Sequence, residues 1–349
     1  MLKYNFSRII TGMSVKTLKM ITTRYKISAP VKNSLRIALA ADLHDRPGGE
    51  VLKRLKQEQP DLILAAGDIL ERCTEGESQY TKAEMDAWQG LRKKNKIASG
   101  AMKTVMKIGY SMHEKHEFSE GIEFLKEASE IAPVFYSPGN HEWYFTKEDQ
   151  KVFSEKRIFL LENEDICWNL VENRLVPKSE CGNNRKAVKD VVNKNYLKVE
   201  NDSESGWNSK TEIISEDEEN SENIIHIGGL ATRYDLDWMH AYATKPGYKI
   251  LICHHPEYYR RYIKDTEWDT FDLIVSGHVH GGQWRIGRHG VLAPGQGLFP
   301  QYCYGCYDKK LIVSAGLSNT ACVPRFGNPT ELVLIDVIAK NKNSGRLGI

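Results

Sequence analysis

The chain has no run of about 18 apolar residues, so no segment reads as a membrane-spanning helix. It is poor in cysteine, with seven in 349 residues at scattered spacings. That excludes a disulfide-stapled scaffold and points to a reducing compartment. Net charge is nearly absent: 48 Lys+Arg against 46 Asp+Glu leave +2. Nothing in the total therefore suggests a nucleic-acid partner. No internal repeat is visible. What is present is 41% hydrophobic residues, near the globular norm, over a length that can bury a large core.

The small net charge is unevenly distributed. Residues 1–41 hold Lys3, Arg8, Lys16, Lys19, Arg24, Lys26, Lys32 and Arg36 and no acid. Among them Leu2, Phe6, Ile9, Ile10, Met13 and Leu18 recur at roughly helical spacing. Such a basic amphipathic piece packs on a domain, trails as a tail, or lies in a membrane interface. No compact apolar stretch with a small-residue cleavage site precedes the rest, so a cleaved signal peptide is not expected. Residues 199–222 carry nine acids and one Lys amid Ser and Asn, too polar to bury a core. They read as part of an acidic surface insertion over 178–222. A basic segment 1–33, a main domain 34–340 and a tail 341–349 complete the expected division. Residues 72–130, with basic helical character over 81–112, read as a cap-like insertion. The expected location is cytoplasmic, with peripheral contact at the inner face of the membrane through the basic N-terminus as the alternative.

Within 34–340, apolar runs alternate with helical stretches. Leu35–Ala40, Asp61–Ala66, Pro133–Ser137, Ile224–Ile227, Tyr248–Cys253, Phe271–Ser276, Leu311–Ser314 and Glu331–Val337 read as strands, with helices near 50–59 and 118–131. This is an α/β pattern, in which loops at strand ends carry the site. Five clusters stand where such runs end: Asp42-x-His44, Gly67-Asp68, Gly139-Asn140-His141-Glu142, His254-His255-Pro256, and Gly277-His278-Val279-His280-Gly281-Gly282-Gln283. Each alone is a common turn or a surface histidine. Together they form a mixed N/O set suited to two divalent ions, Mn, Zn or Fe rather than Ca, with no thiolate required. Gly277–His280 reads as an extended segment.

These clusters resemble the calcineurin-like metallophosphoesterase family, whose pattern D-x-H, G-D, G-N-H-[DE], H, G-H-x-H is matched in order. Gly277–Gln283, Pro300, Gly305, Ser314-Ala315-Gly316-Leu317 and Pro324-Arg325-Phe326 are most similar to the bacterial YkuE/YaeI-type phosphodiesterases. The resemblance implies a four-layer αββα sandwich of two mixed sheets flanked by helices. It implies one metal on Asp42, His44, Asp68 and His280, and a second on Asp68, Asn140, His254 and His278, with Asp68 bridging. His141 would assist the leaving group while a metal-bridging hydroxide attacks phosphorus in line. The implied activity is phosphodiester or pyrophosphate hydrolysis of a phosphate-ester substrate. A lipid-linked phosphate such as UDP-2,3-diacylglucosamine and a non-catalytic scaffold are the alternatives.

Several residues stay open at this level. His255 contacts substrate or packs on Pro256. Gln283 and Arg325 are candidates for holding phosphate. Asp45 supports a histidine or is an ordinary turn carboxylate. Cys303-x-x-Cys306 has half a zinc ribbon's spacing without a second pair, and Cys253 reads as a small buried apolar residue.

Overall fold

The computed structural model describes residues 19–72, 120–177, 224–319 and 325–339. The basic helical stretch 81–112, the acidic 178–222 insertion and the 341–349 tail lie outside the described residues. Two sheets face each other. The first comprises Ile21–Ala29 (β1), Leu35–Ala40 (β2), Leu62–Ala65 (β3), Val134–Tyr136 (β4), Ile158–Leu160 (β5) and Glu331–Ala339 (β17), in the order β1-β17-β2-β3-β4-β5. The second holds Glu164–Asn169 (β6), Arg174–Val176 (β7), Ile224–Leu230 (β8), Tyr248–Cys253 (β9), Leu273–Ser276 (β10), Gly305–Tyr307 (β15) and Leu311–Val313 (β16), in the order β15-β16-β10-β9-β8-β6-β7. Two ribbons follow β10: Arg285–Ile286 (β11) with His289–Gly290 (β12), and Leu292–Ala293 (β13) with Gly297–Leu298 (β14).

The alternation of strand side chains explains the layering. In β2, Ile37 and Leu39 point between the sheets, where they meet Ile225, Ile227, Ile250, Ile252 and Val275 of the second sheet. Ala38 and Ala40 point the other way, toward Val51, Leu52, Phe124, Leu125 and Phe153. Those residues come from the helices Gly49–Glu58, Glu120–Ile131 and Lys147–Glu155. The outer face of the second sheet carries Met239 and Tyr242 of the helix Leu236–Ala243, with Tyr259 and Ile263. The four layers expected from the resemblance are present.

Two boundaries differ from expectation. Residues 21–29 form a strand rather than part of a separate basic segment: β1 runs parallel to β17 in register from Ile21↔Glu331 to Ala29↔Ala339. Its β-branched and aromatic residues, Ile21, Thr22, Thr23, Tyr25 and Ile27, suit a half-buried edge. Glu120–Ile131, the end of the 72–130 segment, packs in the core through Phe124, Leu125 and Ala128.

Strands β2, β3, β4 and β5 are mutually parallel, as are β8, β9, β10 and β16. The loops leaving β2, β3, β4, β9 and β10 carry the five clusters, so their carboxyl ends converge on one edge of the sandwich. Open α/β sheets place their binding crevice at such an edge.

Candidate metal centre

The loops approach one another more closely than ordinary side chains permit. A Cβ on Gly139 would stand 2.2 Å from Asp68 Oδ1, and one on Gly67 would stand 2.5 Å from His254 Nδ1. Gly67 also has φ +80. Glycine is thus required at both positions, once for space and once for backbone conformation as well. The site residues themselves are strained. Asp42 (φ 58), His44 (φ 54), Asp68 (φ 53), His278 (φ 72) and His280 (φ 45) all occupy the left-handed region. Backbone strain of this kind persists where the surrounding structure enforces it, typically at functional sites. It also corrects one expectation, since Gly277–His280 is a tight turn running into a 3-10 segment, not an extended strand.

Asp42, His44 and His280 bring one donor atom each within 4.8 Å of one another, as do Asp68, His254 and His278. Asp68 joins the two groups. Its Oδ2 lies 3.1 Å from His254 Nε2 and 3.7 Å from His44 Nε2. Asn140 Oδ1 is 3.2 Å from His254 Nε2, and the Nε2 atoms of His44 and His280 are 3.3 Å apart. Asp42, Asp68, His44, Asn140, His254 and His278 are buried. All seven residues expected as ligands therefore share one site.

This donor set fits two cations on three observations. Asp42 Oδ2 is buried with no hydrogen-bond partner. Burial raises the Asp42 pKa, a cost that an adjacent dication would reverse. His44 Nδ1 donates to Glu71 Oε1 (2.6 Å) and His254 Nδ1 to the Ala66 carbonyl (2.6 Å), leaving both Nε2 lone pairs for the centre.

His141 stands beside this set, its Nε2 4.0 Å from Asp68 Oδ2 and its ring edge-on to His44 at 4.6 Å. Burial would lower its pKa, but the Glu71 and Asp68 carboxylates outweigh that and raise it to about 10. Burial likewise opposes ionisation of Asp68, yet His254 and His141 hold it well below the usual carboxylate range. His280 moves the other way, pushed down by burial, His44 and Arg325.

Three carboxylates around the centre support it. Of these only Glu71 lies outside the sequence pattern, since Glu142 belongs to the third cluster and Asp45 reads there as support for a histidine or as a turn carboxylate. Glu71 contacts two imidazoles, with Oε1 on His44 and Oε2 on His141 Nδ1 (2.9 Å). Its place three residues after Asp68 was the available signal. Glu142 is buried and accepts from the backbone N–H groups of Asp68 (3.0 Å), Ile69 (2.8 Å), Leu70 (2.8 Å) and Gly139 (2.6 Å), and from the Tyr136 hydroxyl. It fixes the loop that presents Asp68. Asp45 accepts from Glu71 N (2.7 Å), Gly121 N (2.9 Å) and Arg72 Nη1 (3.1 Å). It supports a histidine at one remove, through Glu71.

The suggested substrate contacts fare differently. Arg325 is buried, its Nη1 donating to the Ala315 carbonyl (2.6 Å), with Nη2 on the Ser318 carbonyl and 3.2 Å from His280 Nδ1. Both of its Nη atoms thus contact the protein, while its buried Nε has no hydrogen-bond partner. His255 is 1% exposed and sits behind the centre, with Nε2 3.0 Å from Thr232 Oγ1 and its ring 4.2 Å from that of His278. With Glu257 and His278 it forms a further group whose donor atoms converge. Gln283 turns toward Asn319 Oδ1 (3.2 Å). Cys253, Cys303 and Cys306 are free, so the C-x-x-C pair is not bridged, and Cys253 is buried as expected. Among the described residues no helix is long and apolar enough to cross a membrane.

A sequence model of the calcineurin-like phosphoesterase family matches residues 35–282, which contain all five clusters but for Gln283 at the end of the last. Uncharacterized protein YpbG of Bacillus subtilis (strain 168) is 33% identical over 87 residues, 25% of this chain and 30% of that protein's length. The match thus spans less than a third of that relative. Among solved structures, the crystal structure of TT1561 of Thermus thermophilus aligns with 70% of this chain and 82% of its own, at 10% identity and a TM-score of 0.31. A second crystal structure aligns with 70% of this chain and 84% of its own, at 10% identity and a TM-score of 0.29.

Proposed function

We propose, because this chain belongs to the calcineurin-like phosphoesterase family, that it is a dinuclear metal-dependent hydrolase of a phosphodiester or pyrophosphate bond. The carrying observation is the shared position of Asp68 between the Asp42–His44–His280 and Asp68–His254–His278 groups. Asp42, His44, Asp68 and His280 would hold one divalent ion, and Asp68, Asn140, His254 and His278 the other. When bound, two such ions lower the pKa of a water nucleophile and neutralise charge on phosphoryl oxygens.

The remaining chemistry belongs to the chain. His141 Nδ1 donates to Glu71, which fixes the ring and directs Nε2 at the centre. A proton held at Nε2 is thereby placed to pass to the departing oxygen as the ester bond breaks. The Glu71 carboxylate offsets the positive charge of that imidazolium while orienting His44 with its second oxygen. Burial of Asp42, Asp68 and His254 keeps competing water off the ligand atoms. The similarity of residues 277–326 to YkuE/YaeI-type enzymes favours diesters over monoesters. The test is a panel of aryl monoester, diester and pyrophosphate substrates with Mn-loaded protein. Diester or pyrophosphate turnover abolished by chelation supports the reading, and undiminished turnover after chelation refutes it.

A further inference from the structure

Ten large hydrophobic side chains are exposed among the described residues, and five of them, Trp284, Ile286, Leu298, Phe299 and Phe326, lie in the loops beyond β10 and around Arg325. The three most exposed are in this group: Phe299 at 75%, Ile286 at 73% and Phe326 at 71%. They are neighbours in the structure. Trp284 bridges to Phe326, Arg285 N donates to the Phe326 carbonyl (2.8 Å), Val291 N to the Trp284 carbonyl (2.8 Å), and Phe299 N to the Val291 carbonyl (3.0 Å). Leu292 pairs with Leu298 across the β13–β14 ribbon.

Phe299 adds an independent signal. Its φ is 54, a conformation that bulky side chains avoid, and it is largely exposed at the rim of a cleft lined also by Arg260, Arg261 and Tyr302.

Charge decides what such a surface fits. Between Leu273 and Thr330 the sequence has one acid, Asp308, and it is engaged by Lys264 at 2.7 Å. Arg288 is exposed on the same ribbons, and Arg260 and Arg261 are exposed nearby, with Arg260 hydrogen-bonded to Gln301 beside Phe299. Apolar side chains on short ribbons beside exposed arginines, where the acid lining the same cleft, Glu257, is only 9% exposed, match an anionic bilayer interface. A second copy of the chain would bring the same cations face to face across a two-fold contact.

We infer that Trp284, Ile286, Leu298, Phe299 and Phe326 form a docking surface for anionic membranes. The surface is contiguous with the metal centre: Phe326 follows Arg325, which touches His280, and Trp284 lies four residues after His280. Resting on the proposed hydrolase reading, this placement makes a phosphoester at the membrane surface the substrate class.

The test is flotation of the full chain with mixed phosphatidylcholine–phosphatidylglycerol vesicles, against the triple variant Ile286→Ser, Phe299→Ser, Phe326→Ser. Tm measured on both confirms folding, and aryl phosphodiester turnover without vesicles reads the hydrolase proposal separately. The expected result is that the wild type floats and the variant loses about tenfold or more of its bound fraction, since removing three apolar side chains from an interface is worth more than about 1.4 kcal/mol. Absence of wild-type binding, or equal binding by the variant, overturns the inference. So does a wild-type dimer in sedimentation that the variant abolishes without any vesicle binding, which would make the surface a protein contact.

Discussion

Glu71 Oε2 lies 2.9 Å from His141 Nδ1 while its other oxygen engages His44, so one carboxylate orients both a candidate ligand and the candidate proton donor. Glu71→Gln cannot reproduce this. A glutamine offers one acceptor oxygen, and its amide nitrogen must donate, which meets an imidazole N–H with the wrong polarity. The variant is expected to lose about 10- to 100-fold in kcat, metal affinity or both. Steady-state kinetics with metal analysis on the same preparation checks it.

His141→Asn separates proton delivery from metal binding. The account expects turnover to fall by about 10²–10⁴, with metal content unchanged because His141 is absent from both expected ligand sets. Elemental analysis beside kcat on an aryl phosphodiester reads both. A much smaller loss with an activated aryl leaving group than with an alkyl one would mark the role as leaving-group protonation.

Gly139→Ala tests the packing of the loops. Its Cβ would fall 2.2 Å from Asp68 Oδ1, an atom held in place by the backbone N–H of His141. Asp68 must shift, so metal affinity should fall while the far-UV circular dichroism spectrum stays native. Calorimetric titration with Mn of metal-free wild type and variant measures the difference.

Arg72 anchors the same region for stability rather than chemistry. It is buried, donating to both oxygens of Asp149 (2.8 and 2.9 Å) and to Asp45 (3.1 Å). Arg72→Leu would leave two buried carboxylates without their cation, a change of about 3–5 kcal/mol by denaturant unfolding. The pH dependence follows from Asp149. Burial alone would raise its pKa, but the Arg72 hydrogen bonds hold it below the usual carboxylate value. A depressed folded-state pKa gives stability that is full above the unfolded value, about 3.9, and lost as pH falls through the folded one. Asp149→Asn should therefore flatten the fall in Tm below about pH 4.

Much of the site was legible because its chemistry sits at strand ends. Asp42, Asp68, Asn140, His254, His278 and His280 each follow an apolar run, and sheet topology brings such ends together whatever the loops do. Glu71 was harder to see. A lone carboxylate in a loop resembles a solvated charge until the fold carries it to two imidazoles. For Arg325 the sequence says only that an arginine stands near a phosphate site, and the fold adds that its two Nη atoms donate to the Ala315 and Ser318 carbonyls while Nε has no partner. The strand β1 was hidden by its charge: Arg24 and Lys26 alternate outward at an exposed edge, so the segment's basic composition masked its period of two.

The most direct test of the central claim is the number of ions per chain in purified, Mn-reconstituted protein, by elemental analysis of wild type and Asp68→Ala. Two ions in the wild type, no more than one in the variant, and loss of phosphodiester turnover with the missing ion are predicted. A variant that keeps two ions and wild-type turnover would contradict the assignment of Asp68 as the shared ligand.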